Sequence, residues 1–156
     1  MSDSIAAALD CITYGVQIIG VKTSQHMNGM TAAWVTQVSR EPPMVLAAIG
    51  KTHYTSELIP EAKCFSVNIL TDTQFELAQR CGFGTGRNTE RLADLPIIYE
   101  STGAPIVSDC AAYLDCRLVH TFDIGNCMLF VGEVVAARSS NADVLAYDVE
   151  RFFGKR

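Results

Sequence analysis

The chain has 156 residues and a formal net charge of −5, with 49% hydrophobic and 19% charged residues. That length suits a single domain over 1–156 with a sizeable core, and the composition leaves little room for disorder. The acidic balance and the lack of a basic run exclude nucleic acid as a main partner, because phosphate binding needs a basic stripe.

In chain order, Met1-Ser2-Asp3-Ser4 carries an acid where an export signal carries bases, and the apolar block Ile5 to Leu9 is short for a signal core. Tyr14 to Thr23 is rich in Val and Ile and reads as a strand. Thr31 to Ser39 reads as one further strand and holds the only Trp. Glu41-Pro42-Pro43 breaks it, since proline cannot donate to a ladder. Met44 to Ile49 is apolar throughout and reads as a strand buried on both faces. Tyr54 to Glu61 reads as a short helix. Cys64 to Leu70 alternates Phe65, Val67 and Ile69 against Ser66 and Asn68. Gln74 to Cys81 is a second helix, ended by the glycines from Gly82. Ala111 to Phe122 and Cys127 to Arg138 flank the turn signal Gly125-Asn126 and predict an antiparallel hairpin. In the first of these, Leu118 and His120 are expected on one face. No stretch reaches the roughly 20 apolar residues of a membrane span. The pattern predicts one β-rich, cytoplasmic domain, a barrel with peripheral helices and no membrane contact.

Cys11, Cys64, Cys81, Cys110, Cys116 and Cys127 include no C-x-x-C pair, and several lie in apolar runs. Reduced, mostly structural thiols are the expectation, with no metal centre. His26, His53 and His120 have no neighbour at ligand spacing, which argues against a local zinc site.

Three segments carry candidate chemistry. Lys51-Thr52-His53-Tyr54-Thr55 opens a helix directly after a strand. Free amides and the helix dipole favour an anion there, and Lys51 adds a charge. A capped, solvated helix start fits the same residues. Asn28-Gly29-Met30 leads into Thr31, Ala32 and Ala33, whose small side chains let a flat ring approach the backbone. Ordinary strand packing accounts for these residues better on pattern alone. Cys81-Gly82-Phe83-Gly84-Thr85-Gly86-Arg87 is not a dinucleotide fingerprint, because its third glycine falls one position early and a helix precedes it. It reads as a tight or mobile loop carrying Arg87.

These pieces, taken in order, resemble the flavin reductase-like, FMN-binding split-barrel family. The matching stretches are Y-G-V-Q-I-I-G-V at 14–21, N-G-M-T-A-A-W-V-T-Q-V-S at 28–39, E-P-P at 41–43 and G-K-T-H-Y-T at 50–55. F-S-V-N-I-L at 65–70, C-G-F-G-T-G-R at 81–87, T-G-A-P-I at 102–106 and L-F-V-G-E-V-V at 129–135 complete the series. Within the family the chain is most similar to the flavin domain of high-molecular-weight rubredoxins and to flavoredoxins. The resemblance implies an all-β, Greek-key, six-stranded split β-barrel that binds FMN non-covalently as a homodimer. It implies that Met30, Thr31, Ala32, Ala33 and Trp34 face the flavin ring. Gln37, Lys51, Thr52, His53 and Thr55 are then expected at the phosphate. Asn28, Phe83 and Arg87 are expected beside the same cofactor, with Arg87 also within reach of a partner subunit.

The implied activity is hydride transfer from NADH or NADPH to the flavin, and on to a flavin, a metal centre or a redox protein. Many relatives carry a histidine in a Gly-Asp/Thr-His turn beside the nicotinamide. Here the turn is Gly125-Asn126-Cys127. That departure keeps two alternatives open: an electron carrier reduced by a protein donor, and a ligand-binding barrel without redox turnover.

Overall fold

The computed structural model describes residues 1–154. Its elements in order are α1 (Asp3–Leu9), β1 (Gln17–Lys22), β2 (Met27–Ala32), β3 (Val35–Arg40), β4 (Pro43–Gly50), α2 (Tyr54–Ala62) and β5 (Cys64–Ile69). After these come α3 (Phe75–Gly82), β6 (Ile97–Tyr99), β7 (Pro105–Val107), β8 (Ala112–Ile124), β9 (Cys127–Ser139) and α4 (Val149–Phe153). Seven strands form one sheet in the order β2-β1-β5-β8-β9-β4-β3, while β6 and β7 pair separately. The mostly-β expectation holds. The expected six strands do not match the seven found, and no ladder joins β2 to β3 among the described residues.

The edges of the sheet nevertheless meet. β2 ends at Ala32 and β3 begins at Val35, so only Ala33 and Trp34 separate them. Three Cα steps span at most about 11 Å. A flat sheet of this size would hold its edges roughly 29 Å apart at about 4.8 Å per strand. The sheet must therefore roll until its edges touch at this corner. The run Thr31–Ser39 is accordingly two strands, since one strand cannot occupy both edges.

The inside of the roll is the main core, where Ile19, Phe65 and Phe130 are fully buried and α2 adds Leu58 and Ile59. A second core lies on the other side of β1, where Val16 and Ile18 pack with Leu70, Leu92 and Val107. β1 is thus apolar on both faces because both are covered. β4 differs from expectation. Its Val45, Ala47 and Ile49 are buried, but Met44, Leu46 and Ala48 on the other face are only half-buried.

The long hairpin forms with Gly125 at φ 53° in its turn. A register shift between Leu118 and His120 places an extra residue, Val119, in β8. Such a bulge re-aims the side chains beyond it. Leu118 packs on the inner core, whereas His120 is exposed and lies 6.1 Å from the Phe122 ring. The two do not share the face expected of them. α1, β6, β7 and α4 were not expected: α1 and α4 bury no residue, and β6 and β7 have three residues each. None leaves a periodic apolar signal.

Polar residues tie the layers together. Asn68, fully buried on β5, donates to the Ile18 carbonyl at 2.9 Å and accepts from the Val107 amide at 2.8 Å. Asn68→Ala strands the buried Val107 amide away from water. We expect it to cost about 3 kcal/mol, measured as a lowered urea midpoint with unchanged slope.

Candidate functional site

Two connected cavities open at the rolled corner. The larger, about 410 Å³, is floored by Met30 to Trp34 and walled by Phe83, Phe153 and the hairpin turn at Asn126 and Cys127. The smaller, about 100 Å³, lies between the start of α2 and the glycine loop that comes after α3. Met30 and His53 line both.

The floor exists because β2 is an edge strand. It pairs with β1 on one side only, so its other edge offers backbone amides and carbonyls without a strand partner. Ala32 and Ala33 keep that edge open to a flat group. Thr31 adds no free hydroxyl, since its Oγ1 donates to the Ala78 carbonyl of α3 at 2.7 Å.

The recess is built for an anion. Thr52, His53 and Thr55 line it at the N-terminus of α2, where amides lack intrahelical partners. Among the described residues no Asp or Glu lines it. Arg91 does, and it is 4% exposed. Its guanidinium donates to the carbonyls of Cys81 at 2.9 Å, Gly29 at 3.4 Å, Phe83 at 3.1 Å and Gly84. Burial lowers its pKa from the usual value, yet arginine remains a cation. Asn28, 1% exposed, donates to Thr55 Oγ1 at 2.9 Å. Its Oδ1 is buried with no partner. A ligand hydroxyl or amide is the natural complement of such an atom.

The structure thus gathers Asn28, Met30, Thr31, Ala32, Ala33, Trp34, Thr52, His53, Thr55, Phe83 and Cys127 around the two cavities. Three expected site residues line neither. Gln37 is exposed on β3 and donates to the Ser39 carbonyl at 3.1 Å. Lys51 pairs with Asp123 at 2.5 Å. Arg87 points to the outside of α2, where it pairs with Glu57. Sequence reasoning did not assign Arg91, Tyr147, Phe152 or Phe153 to a cavity. Arg91 lies nine residues beyond α3, and no local motif signals that the loop folds it back inside. The terminal aromatics carry a weak signal: Tyr147, Phe152 and Phe153 fall close together at the chain end.

The cleft's chemistry is sparse. Its titratable side chains among the described residues are His53, Cys127 and Tyr147. No group of three or more His, Cys, Asp or Glu residues among those described could hold a metal. Nor is any described helix long and apolar enough to cross a membrane.

Residues 9–155 match the family described as "Flavin reductase like domain", and the chain belongs to that family. It is 32% identical over 132 residues to a high molecular weight rubredoxin of Moorella thermoacetica, covering 83% of this chain and 58% of that protein. The chain therefore spans well under two thirds of that relative. It is 30% identical over 146 residues to the FMN reductase (NADH) SmoA of Agrobacterium fabrum, covering 94% of this chain and 82% of the other. Among solved structures, flavoredoxin from Methanosarcina acetivorans superposes with a TM-score of 0.78 at 30% identity, covering 83% of this chain and 70% of that one.

The six cysteines are all free. Burial pushes the Cys81 and Cys110 thiols up to about 11 and Cys116 up to about 12. A thiol in the unfolded chain ionises near 9.0, so the unfolded state loses those protons first. Stability is present below that value and falls as pH rises toward 11–12. At neutral pH we expect a thiol reagent to label Cys11 and Cys127 in the folded protein. Cys64, Cys81, Cys110 and Cys116 should react only after unfolding, as read by mass spectrometry.

Proposed function

We propose that the chain binds FMN and acts as an oxidoreductase that takes electrons from NADH or NADPH and passes them to an external acceptor. The observation that carries this reading is the union of an apolar cleft, floored by open strand backbone, with an anion recess holding a buried arginine. FMN has a flat ring, a hydroxylated linker and a phosphate, and the residues present fit each part. The backbone of Met30 to Trp34 would hold the ring. Thr52, Thr55, the first amides of α2 and Arg91 would hold the phosphate. Asn28 Oδ1 would accept from a linker hydroxyl. Gln37, Lys51 and Arg87 have no place in this assignment.

Bound flavin supplies hydride acceptance and onward electron delivery; the protein supplies orientation and electrostatics. Arg91 and the helix terminus fix the charged end. The apolar walls of the cleft exclude water from the ring end. No side chain is required as a general base. The likeness to a relative named as an NADH-dependent FMN reductase supports nicotinamide as donor. A second reading, an electron carrier reduced by a protein, is favoured by the Gly125-Asn126-Cys127 turn, which offers the cleft a thiol and no imidazole.

The test is an FMN titration followed by anaerobic addition of NADH and NADPH, read by flavin absorbance. We expect one FMN per chain and stoichiometric bleaching. Failure to bind FMN overturns the reading. A flavin that binds but stays yellow with both nucleotides selects the carrier.

The same reading includes a homodimer. The outer face of β3, β4, β9 and β8 is apolar yet uncovered: Trp34 is 55%, Phe122 52% and Ile124 55% exposed. Leu46, Ala48 and Leu129 continue it. A second copy seated there would cover this face and close one rim of the cleft at Trp34. Sedimentation should show a dimer, and Phe122→Glu with Ile124→Glu should give a folded monomer.

A further inference from the structure

The glycine loop forms the outer wall of the anion recess through Gly84, Thr85 and Gly86. Within the loop, the Arg87 amide donates to Thr85 Oγ1 at 3.2 Å. Two arginines also hold the loop, acting from opposite sides. Arg91 binds its carbonyls from within. Arg87, near its tip, reaches outward to α2, pairing with Glu57 and lying 4.5 Å over the Tyr54 ring. Arg87 lines neither cavity. Gly86 sits so close to Asn28 that an added Cβ would fall 1.9 Å from Oδ1. The loop therefore packs directly over the orphaned acceptor.

We propose that the Arg87–Glu57–Tyr54 contact is a clasp that gates exchange of the phosphate-bearing ligand, and so sets whether flavin is resident or exchanging. This rests on the FMN reading above. Of the clasp's members only Tyr54 lines the recess; the Arg87 and Glu57 side chains do not. The clasp holds the loop shut equally over a filled and an empty recess. Breaking it raises the open population in both states, so entry and release accelerate together. The partners are about half exposed, so the contact is modest and screened by salt. With the cation–π contact added, about a five- to tenfold change in each rate is expected.

The experiment is stopped-flow FMN binding and release, read by flavin fluorescence, for the wild type, Arg87→Gln, Glu57→Gln and the double variant. The gate predicts that both rate constants rise by the same factor, with Kd unchanged and Tm lowered by only a few degrees. The double variant should be no faster than Arg87→Gln. High salt should accelerate release more in the wild type than in Arg87→Gln, where only the screening of the anion site itself remains. Hydrogen exchange at the Arg87 amide, the loop N–H that bonds to Thr85 Oγ1, should speed up without added flavin in Arg87→Gln while β5 and β9 stay protected. A rise in release alone, with weakened affinity, would make Arg87 a direct ligand and overturn the gate. Unchanged rates in a protein that binds FMN, or unchanged loop exchange, overturn the gate alone. Absence of FMN binding overturns it together with the reading beneath it.

Discussion

The constraint on which this structure depends is the two-residue connection at Ala33 and Trp34. It joins strands that stand at opposite ends of a seven-stranded order. A connection that short cannot bridge a flat sheet, so the sheet is forced to roll. Rolling creates the enclosed core around Phe65 and Phe130. It also leaves a seam, because β2 and β3 meet without pairing. The unpaired edge of β2 becomes a cleft floor instead of a site for strand addition. Ala48 marks how tight the corner is: its amide bonds to the Trp34 carbonyl at 2.9 Å. The fold and the site thus have one origin.

The site's charge is arranged with similar economy. The chain is acidic overall, yet its recess holds a buried cation and is lined by no carboxylate among the described residues. Desolvating a guanidinium is costly unless its donors are satisfied. Arg91 meets that condition by bonding backbone carbonyls, which neutralise none of its charge. It therefore orders the loop and still presents a positive field to the recess. Lys51 and Arg87, by contrast, are each cancelled by a carboxylate on the surface. Cations that looked alike in the sequence thus differ by what faces them.

Much of this was legible in advance, and the exceptions have physical causes. Strands with strong apolar pattern, such as β1, β5 and the β8–β9 hairpin, were readable because burial imposes period. The helix start carrying Thr52, His53 and Thr55 was readable, and these residues do line one recess. Arg91 was not, because a buried arginine satisfied by carbonyls leaves no mark in local sequence. The break at Ala33 was also invisible: T-A-A-W-V-T reads as continuous strand, and only the global roll interrupts it. His120 changed faces because a bulge has no fixed sequence signature. β4 misled in an informative way. Its continuous apolar run signals two covered faces, but this chain covers only one.

The division between recess and cleft separates binding from chemistry. Charge, hydrogen-bond donors and the orphaned Asn28 acceptor all lie at the small end. The large end offers flat backbone, aromatic rims and few titratable groups. A ligand held by its charged end gains affinity from contacts remote from the reacting part. The reacting part can then stay accessible to a donor and an acceptor in turn, without loss of the anchor. On the proposed reading, that arrangement accounts for a cleft with few titratable groups beside a recess walled by a loop. Under the proposed function, the site must keep its cofactor and admit its partners. Here the two demands fall on different walls.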